Sequence, residues 1–322
     1  MKYEQIPKEK IHCKGERFRI SLGKYPKRLF RSVKKLGILN PLWVMPKKED
    51  KSHELVLGYS RFYAACDLGM TPLPCHILEK ETSEGDIHLA NIYDNLSHRE
   101  LNPMEQAIAL KKSLHYFGRE KVISEIMPAL GMGKSDHALE RALSLLDLAE
   151  QIREAVAKDQ ISLANAYSLL PLSPREQTAL FRLFSRLRLG VNLQKEFIEN
   201  LSECSRRDGI PIYELVQREN LSAILESEKI PEQKKAEGFR AELRRMRYPR
   251  LSETESSFEA LVRSLGLPPE LNIFSPPYFE TDIFRVQVRF KNPDELRSHV
   301  EKLQKALESP GIKEWFGRHT SH

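Results

Sequence analysis

Two short segments of the chain hold residue types that could grip a phosphate group. The first, His53 to Met70, reads HELVLGYSRFYAACDLGM: an apolar strand-like run breaks at Gly58 into a helix whose first turn carries Ser60 and Arg61. Glycine permits a sharp turn. The helix it opens directs unpaired backbone N–H groups and the positive end of a dipole beyond the strand. Arginine there adds a planar fork able to hold two phosphate oxygens. The second segment, Asn91 to Gln106, reads NIYDNLSHRELNPMEQ. Asp94 and Asn95 offer hard oxygens of the kind Mg²⁺ accepts, and His98 and Arg99 follow about one helical turn later. Asn102, Pro103 and Glu105 then open a new helix with a capping box. Taken singly, each segment also suits a plain structural turn.

The elements that must position these residues follow from composition and pattern. At 322 residues the chain has room for two or three domains with real cores. The opening MKYEQIPKEK shows no hydrophobic signal region, and no apolar run approaches the ~20 residues that span a bilayer, so a cytoplasmic location with no membrane partner is expected. Cys13, Cys66, Cys75 and Cys204 lie far apart and read as reduced thiols. A Cys₂His₂ site from His12, Cys13, Cys75 and His76 would lack the short ligand spacing of a zinc motif. Net charge is +6, but Met1 to Lys35 alone carries +9. Lys24, Lys27, Arg28, Arg31, Lys34 and Lys35 cluster around an expected helix from Pro26 to Leu36, where they could meet DNA phosphates or a nucleotide.

Apolar residues at three and four spacing predict a succession of helices from Pro103 to Leu187. Within it, Val122 to Leu146 has a helix-turn-helix pattern, with Leu130 to Ser135 as the turn and DHALERALSLL as the recognition helix. Lys134, Ser135, His137 and Arg141 are the candidate DNA contacts. Residues 118 to 150 hold four basic and six acidic side chains, so DNA binding should draw on basic surface elsewhere too. Lys27, Arg28, Arg31 and Lys34 are the candidates for that role. Lys234 to Arg250 reads as a basic linker helix. A last unit contains a helix Glu253 to Leu265, an alternating strand Phe284 to Phe290, and a helix Asp294 to Leu307 with Val300, Leu303 and Leu307 on one face. The expected class is therefore α+β and mostly helical, in four parts. These are a small mixed α/β domain over 1–100, an all-helical helix-turn-helix domain over 101–230, the linker over 231–250, and a C-terminal α/β dimerisation unit over 251–322.

The two segments together, in this order and separation, resemble the N-terminal domain of the ParB/Noc family of partition proteins. Gly58-Tyr59-Ser60-Arg61 stands at the family's first box, Asp94-Asn95-Leu96-Ser97-His98 at its second, and Leu101-Asn102-Pro103-Met104-Glu105 matches closely. Gly37-Ile38-Leu39-Asn40-Pro41-Leu42-Trp43-Val44 is similar to the family's entry to its first strand. The resemblance runs through about Leu187. It implies a pocket for CTP and Mg²⁺ formed by Gly58, Ser60, Arg61, Asn95, His98 and Arg99, with Asn95 as metal ligand and Asp94 as the residue acting in any weak CTP hydrolysis. It further implies a nucleoid-associated homodimer on double-stranded DNA, and a Walker-type partition ATPase as partner. Tyr59, Ser60, Met45, Asp94 and His98 depart from the family pattern. Several guanidinium forks are thereby lost, at roughly 1.5–3 kcal/mol for each charge-assisted bond. A transcriptional regulator or nucleoid adaptor with a vestigial pocket is the alternative, and a phosphotransferase or nuclease on the same fold is a third.

Overall fold

The computed structural model describes residues 1–13, 17–47, 52–79 and 81–319. The protein is α+β and mostly helical, and its contacts divide it into two compact units, Met1–Lys195 and Glu196–His322.

In the first unit five short strands form one mixed sheet: β1 (Lys2–Ile6), β2 (Ile11–His12), β3 (Leu42–Pro46), β4 (His53–Leu57) and β5 (Leu73–Ile77), in the order β1-β5-β3-β4-β2. β1 runs antiparallel to β5 and β3 antiparallel to β4, whereas β5 pairs parallel with β3 and β2 parallel with β4. Leu42, Val44, Leu55, Val56, Leu73 and Cys75 are fully buried. Helices α1 (Lys27–Leu36) and α2 (Tyr59–Asp67) add Val33, Phe62, Ala64 and Ala65 to that core. Strand β1 gave no sequence signal, because it is an edge strand that buries only Ile6. Burial pushes the Cys75 thiol up to about 12, which leaves it inert. Among the described residues no group of three or more His, Cys, Asp or Glu is placed to hold a metal ion, so the Cys₂His₂ arrangement does not form.

A second core is helical. It is built from α3 (Glu84–Leu96), α4 (Pro103–Tyr116), α5 (Arg119–Lys121), a π-turn at Val122–Ile126, α6 (Met127–Ala129) and α7 (Asp136–Ser144). The π-turn lies just ahead of Pro128, whose ring cannot donate to the helix ladder and crowds the preceding turn. The wider spiral accommodates it. Helices α8 (Glu150–Ala157), α9 (Leu163–Leu169) and α10 (Pro174–Leu187) follow within the helical run expected from periodicity. The strap before α1 joins the two cores: Phe18 is buried among the sheet residues and Ile20 among the helices. This packing explains why the contacts do not divide the chain near residue 100.

Between α3 and α4 lies His88, fully buried, with Nε2 at 2.9 Å from Ser113 Oγ and 3.2 Å from the Ala109 carbonyl. Burial pulls its pKa down to about 4. The unfolded chain then binds the proton more readily than the fold, so the stabilisation is complete above about pH 6.5 and is lost as pH falls towards 4. We expect most of about 3 kcal/mol to disappear across that window, read as a falling urea midpoint, with His88→Gln removing this part of the slope. An unchanged slope in the variant would assign the acid sensitivity elsewhere.

The second unit begins within α11 (Val191–Asp208) and continues through α12 (Ile212–Leu215), α13 (Glu219–Glu226) and α14 (Glu232–Arg247). Phe239 and Leu243 of α14 are fully buried, and Phe239 stacks on Phe197 with ring centroids 5.5 Å apart. The stretch expected to be a linker thus supplies core residues. After α15 (Pro249–Ser264), β6 (Leu271–Phe274) pairs antiparallel with β7 (Arg285–Val288), followed by α16 (Pro293–Leu307) and α17 (Pro310–His319). Phe258, Phe279, Phe284 and Trp315 form an aromatic cluster with centroids 5.1–6.2 Å apart. The buried side of α16 holds His299 and Ala306, whereas Val300 and Leu307 of the expected apolar stripe are exposed. Helix α17, which carries Trp315, was not legible in the sequence.

Candidate functional site: a cationic pocket and a helix-turn-helix

The sequence places Gly58 where β4 must turn into α2, and its φ of +96° lies in the region that side chains avoid. A Cβ here would approach Leu42 Cδ2 to 2.9 Å and the Nε and Nη2 atoms of Arg61 to 3.3 Å. The guanidinium therefore lies across the bare face of the glycine. Arg61 donates from Nη1 to the Asn40 carbonyl at 2.9 Å and from Nη2 to Asp94 Oδ2 at 3.1 Å. Burial lowers its affinity for the proton, and Asp94 works in the opposite direction. No side chain caps the N-terminus of α2, so its first backbone donors are left for a ligand.

A cavity of about 460 Å³ opens between α1, the start of α2 and the end of α3. That volume falls in the range of small-molecule sites, roughly 300–1,000 Å³. Gly58, Ser60, Arg61, Asp94, Asn95, His98 and Arg99 all line it, so residues from both segments are brought together. Arg28, one of the cluster expected to meet DNA phosphates or a nucleotide, lines it too.

What the sequence missed is how fully these groups engage one another. Arg99 donates to both oxygens of Glu105, with Nη2 to Oε1 at 2.9 Å, and also to Asn95 Oδ1 at 3.0 Å. Asn95 in turn donates to the Asn91 carbonyl at 2.9 Å, and His98 Nε2 lies 3.9 Å from Asp94 Oδ1. Glu105 is a hub: it also accepts from the backbone N–H of Leu22 at 3.0 Å and of Asn102 at 3.2 Å. Its capping role was readable from the motif. Its ion pair across the loop was not, because no helical periodicity links Arg99 to Glu105. Both inner arginines are thus held by carboxylates, and Arg28 remains the exposed cation on the wall.

Helix α7, expected from the sequence to be the recognition helix, is capped by Ser135, whose Oγ accepts from the Ala138 N–H at 3.1 Å. Leu139 and Ala142 are buried, which leaves His137 and Arg141 on the outer side with Lys134 exposed ahead of them. Arg141 lies over the Tyr167 ring, 4.3 Å from its centroid. Arg119 bridges the two acidic residues of the helix, reaching Asp136 and Glu140 at 2.5 Å each. This pairing ties up both carboxylates of α7 but leaves the acidic balance of residues 118–150 unchanged, because Arg119 is one of the four basic side chains there. Lys27, Arg28, Arg31 and Lys34 of α1 are all exposed.

A helix-turn-helix set against a small sheet domain with a cationic pocket defines the class. Residues 99–203 match the family model described as the ParB HTH domain. The nucleoid occlusion protein of Listeria monocytogenes serotype 4a (strain HCC23) is 33% identical over 149 residues, covering 46% of this chain and 50% of that protein. The nucleoid occlusion protein of Bacillus cereus (strain AH187) is 29% identical over 175 residues, covering 53% and 57%. The chain thus spans about half the length of the curated relatives it matches. A crystal structure of the C-terminally truncated partitioning protein ParB from Caulobacter crescentus, complexed to the centromeric parS site, aligns over 61% of this chain at 17% identity with a TM-score of 0.34. Residues 99–203 are thus similar to the ParB HTH domain, and the matched stretch contains the capped helix α7.

Proposed function

We propose that the chain binds double-stranded DNA sequence-specifically as a homodimer, in chromosome partition or nucleoid occlusion, and that CTP in the 460 Å³ cavity gates this binding. The coincidence of the ParB HTH match with a capped, outward-facing α7 carries the reading. Lys134, Ser135, His137 and Arg141 are the proposed base-reading side, and the α1 cations the proposed phosphate side. The boundaries proposed for the working parts are the pocket domain to residue 100, the helix-turn-helix beyond it, and a dimerisation role for 251–322. A Walker-type partition ATPase is the proposed protein partner, and a nucleoid-associated location follows from the DNA role.

The pocket suits phosphates through the open start of α2, Ser60, Arg28 and Arg61. Mg²⁺ usually combines one or two carboxylates with phosphate oxygens and water. Asp94 is the carboxylate lining the cavity, so it would hold the ion, with Asn95 joining only by releasing Arg99. The vestigial-pocket reading has one specific observation behind it, the engagement of Arg61 and Arg99 by Asp94 and Glu105.

Selection of genomic fragments at about 50 mM salt, followed by light scattering of the complexes, tests the proposal. The expected result is a recovered palindrome carrying two chains per duplex, with occupancy altered by CTP. Failure to shift any fragment would remove the DNA role, and occupancy indifferent to CTP would leave the regulator reading.

A further inference from the structure

A second cavity, of about 650 Å³, lies on the other side of the strap between residues 17 and 22, against α4 and α8. Five permanent cations line it, Arg17, Arg19, Lys111, Lys112 and Arg153, against the carboxylates Glu150 and Glu154, and of these Arg17 is already paired with Glu84. Its remaining wall includes Met104, Ile108, Tyr116 and Leu146. Helix α4 sets Lys111 and Lys112 next to His115 one turn on, so cations and an aromatic pair share one end of the helix.

Two of these groups have no internal use for their charge. Among the described residues the Lys111 side chain makes no hydrogen bond or ion pair, and it is exposed. Arg153 Nε is buried and meets no acceptor, a state that costs free energy unless a ligand or water completes it. One of the two carboxylates is already neutralised, since Glu154 is paired with Lys158 at 3.1 Å. Cations gathered round a concave, partly apolar wall attract a compact anion carrying several charges. A duplex, which presents a convex row of phosphates, does not fill a concavity of this kind.

We propose that this cavity is a second binding site, for a small anion bearing two or more phosphate groups, and that it communicates with the nucleotide pocket. The connection is short. Lys112 Nζ donates to the Arg19 carbonyl at 2.7 Å, Ser21 lines both cavities, and the Leu22 N–H donates to Glu105, which holds Arg99. An anion that draws Lys112 towards itself loosens the strap, and with it the hold of Glu105 on Arg99. Coupling of this kind is reciprocal, so a ligand in either cavity changes affinity in the other by the same factor. The communication rests on the nucleotide reading above. The second site itself does not.

Inorganic tripolyphosphate is the probe, titrated calorimetrically into the protein carrying Arg61→Ala, which weakens the first pocket. A binding event should remain, weaken at least tenfold in Lys111→Gln and in Lys111→Gln/Arg153→Gln, and change less than twofold when Lys27 and Lys34 are neutralised instead. Lys111 is exposed, so its single variant tests the site even if the double variant fails to fold. Absence of the residual event, or equal weakening by the Lys27/Lys34 control, would overturn the proposal. So would a Lys111→Gln variant that keeps tripolyphosphate affinity while losing affinity for a DNA duplex, because the cations would then serve DNA phosphates. Communication is read separately in the otherwise unaltered protein: saturating tripolyphosphate should shift CTP affinity, and an unchanged value would leave a second site without coupling.

Discussion

Arg61→Ala should weaken CTP binding by roughly 10- to 150-fold, the span of 1.5–3 kcal/mol for a charge-assisted contact. Gly58→Val should abolish it. The valine Cβ would sit 2.9 Å from Leu42 Cδ2 and displace the Arg61 guanidinium, while a φ of +96° strains any branched side chain. The two changes therefore act on one contact by different routes, and circular dichroism separates loss of binding from loss of fold. Asp94→Asn gives the opposite sign without metal: Arg61 is released from its carboxylate at 3.1 Å, and affinity should rise severalfold. With Mg²⁺ present the same variant should bind more weakly, since the proposed metal ligand is gone. Calorimetry with and without Mg²⁺ reads all three. Equal affinities for the original protein and Arg61→Ala would place the nucleotide elsewhere, and no affinity below about 1 mM in the original protein would make the pocket vestigial.

Neutralising Lys27, Arg28, Arg31 and Lys34 together should flatten the dependence of DNA affinity on salt. Each lost phosphate contact removes about 0.9 from the slope of log K against log salt. All four side chains are exposed on α1, and the recognition helix has its acidic residues tied to Arg119, so α1 is the larger phosphate-facing resource. The loss should be uniform across DNA sequences. Replacing Lys134 or His137 should instead erode preference for the selected site and leave non-specific binding nearly intact. Anisotropy titrations at several salt concentrations distinguish the two patterns. An unchanged slope in the α1 variant would mean that the helix lies away from the duplex.

Much of this architecture was legible because the signals are local. The capping box at Asn102 and Glu105 fixed the start of α4, and apolar periodicity announced the run of helices that ends with α10 at Leu187. Gly58 announced the turn into α2 by chemistry alone. Non-local relations were not legible. Edge strand β1 lacks an apolar face because it buries one residue, and α17 was missed because Trp315 finds its partners in Phe258, Phe279 and Phe284 through tertiary packing. In α16 the apolar stripe pointed to one face and the fold buried another, since neighbours decide which side of a mixed helix is covered. At the pocket, residue types and spacing identified the lining. They could not show that Arg61 and Arg99 already hold Asp94 and Glu105, because ion pairs between elements leave no period in a sequence.

The strap that seats Phe18 in one core and Ile20 in the other also governs the order in which a nascent chain can fold. Ile20 shares its cluster with Leu139 and Ala142, which leave the ribosome roughly 6–24 s later at 5–20 residues per second. Until then the sheet can assemble through β5 while a fully apolar anchor of its own first segment waits in water. Chain release or cleavage near residue 100 would strand Ile20 and Ile92 together as sticky surface, so the first half of this protein is a product of completed synthesis through α7 rather than a module that precedes it.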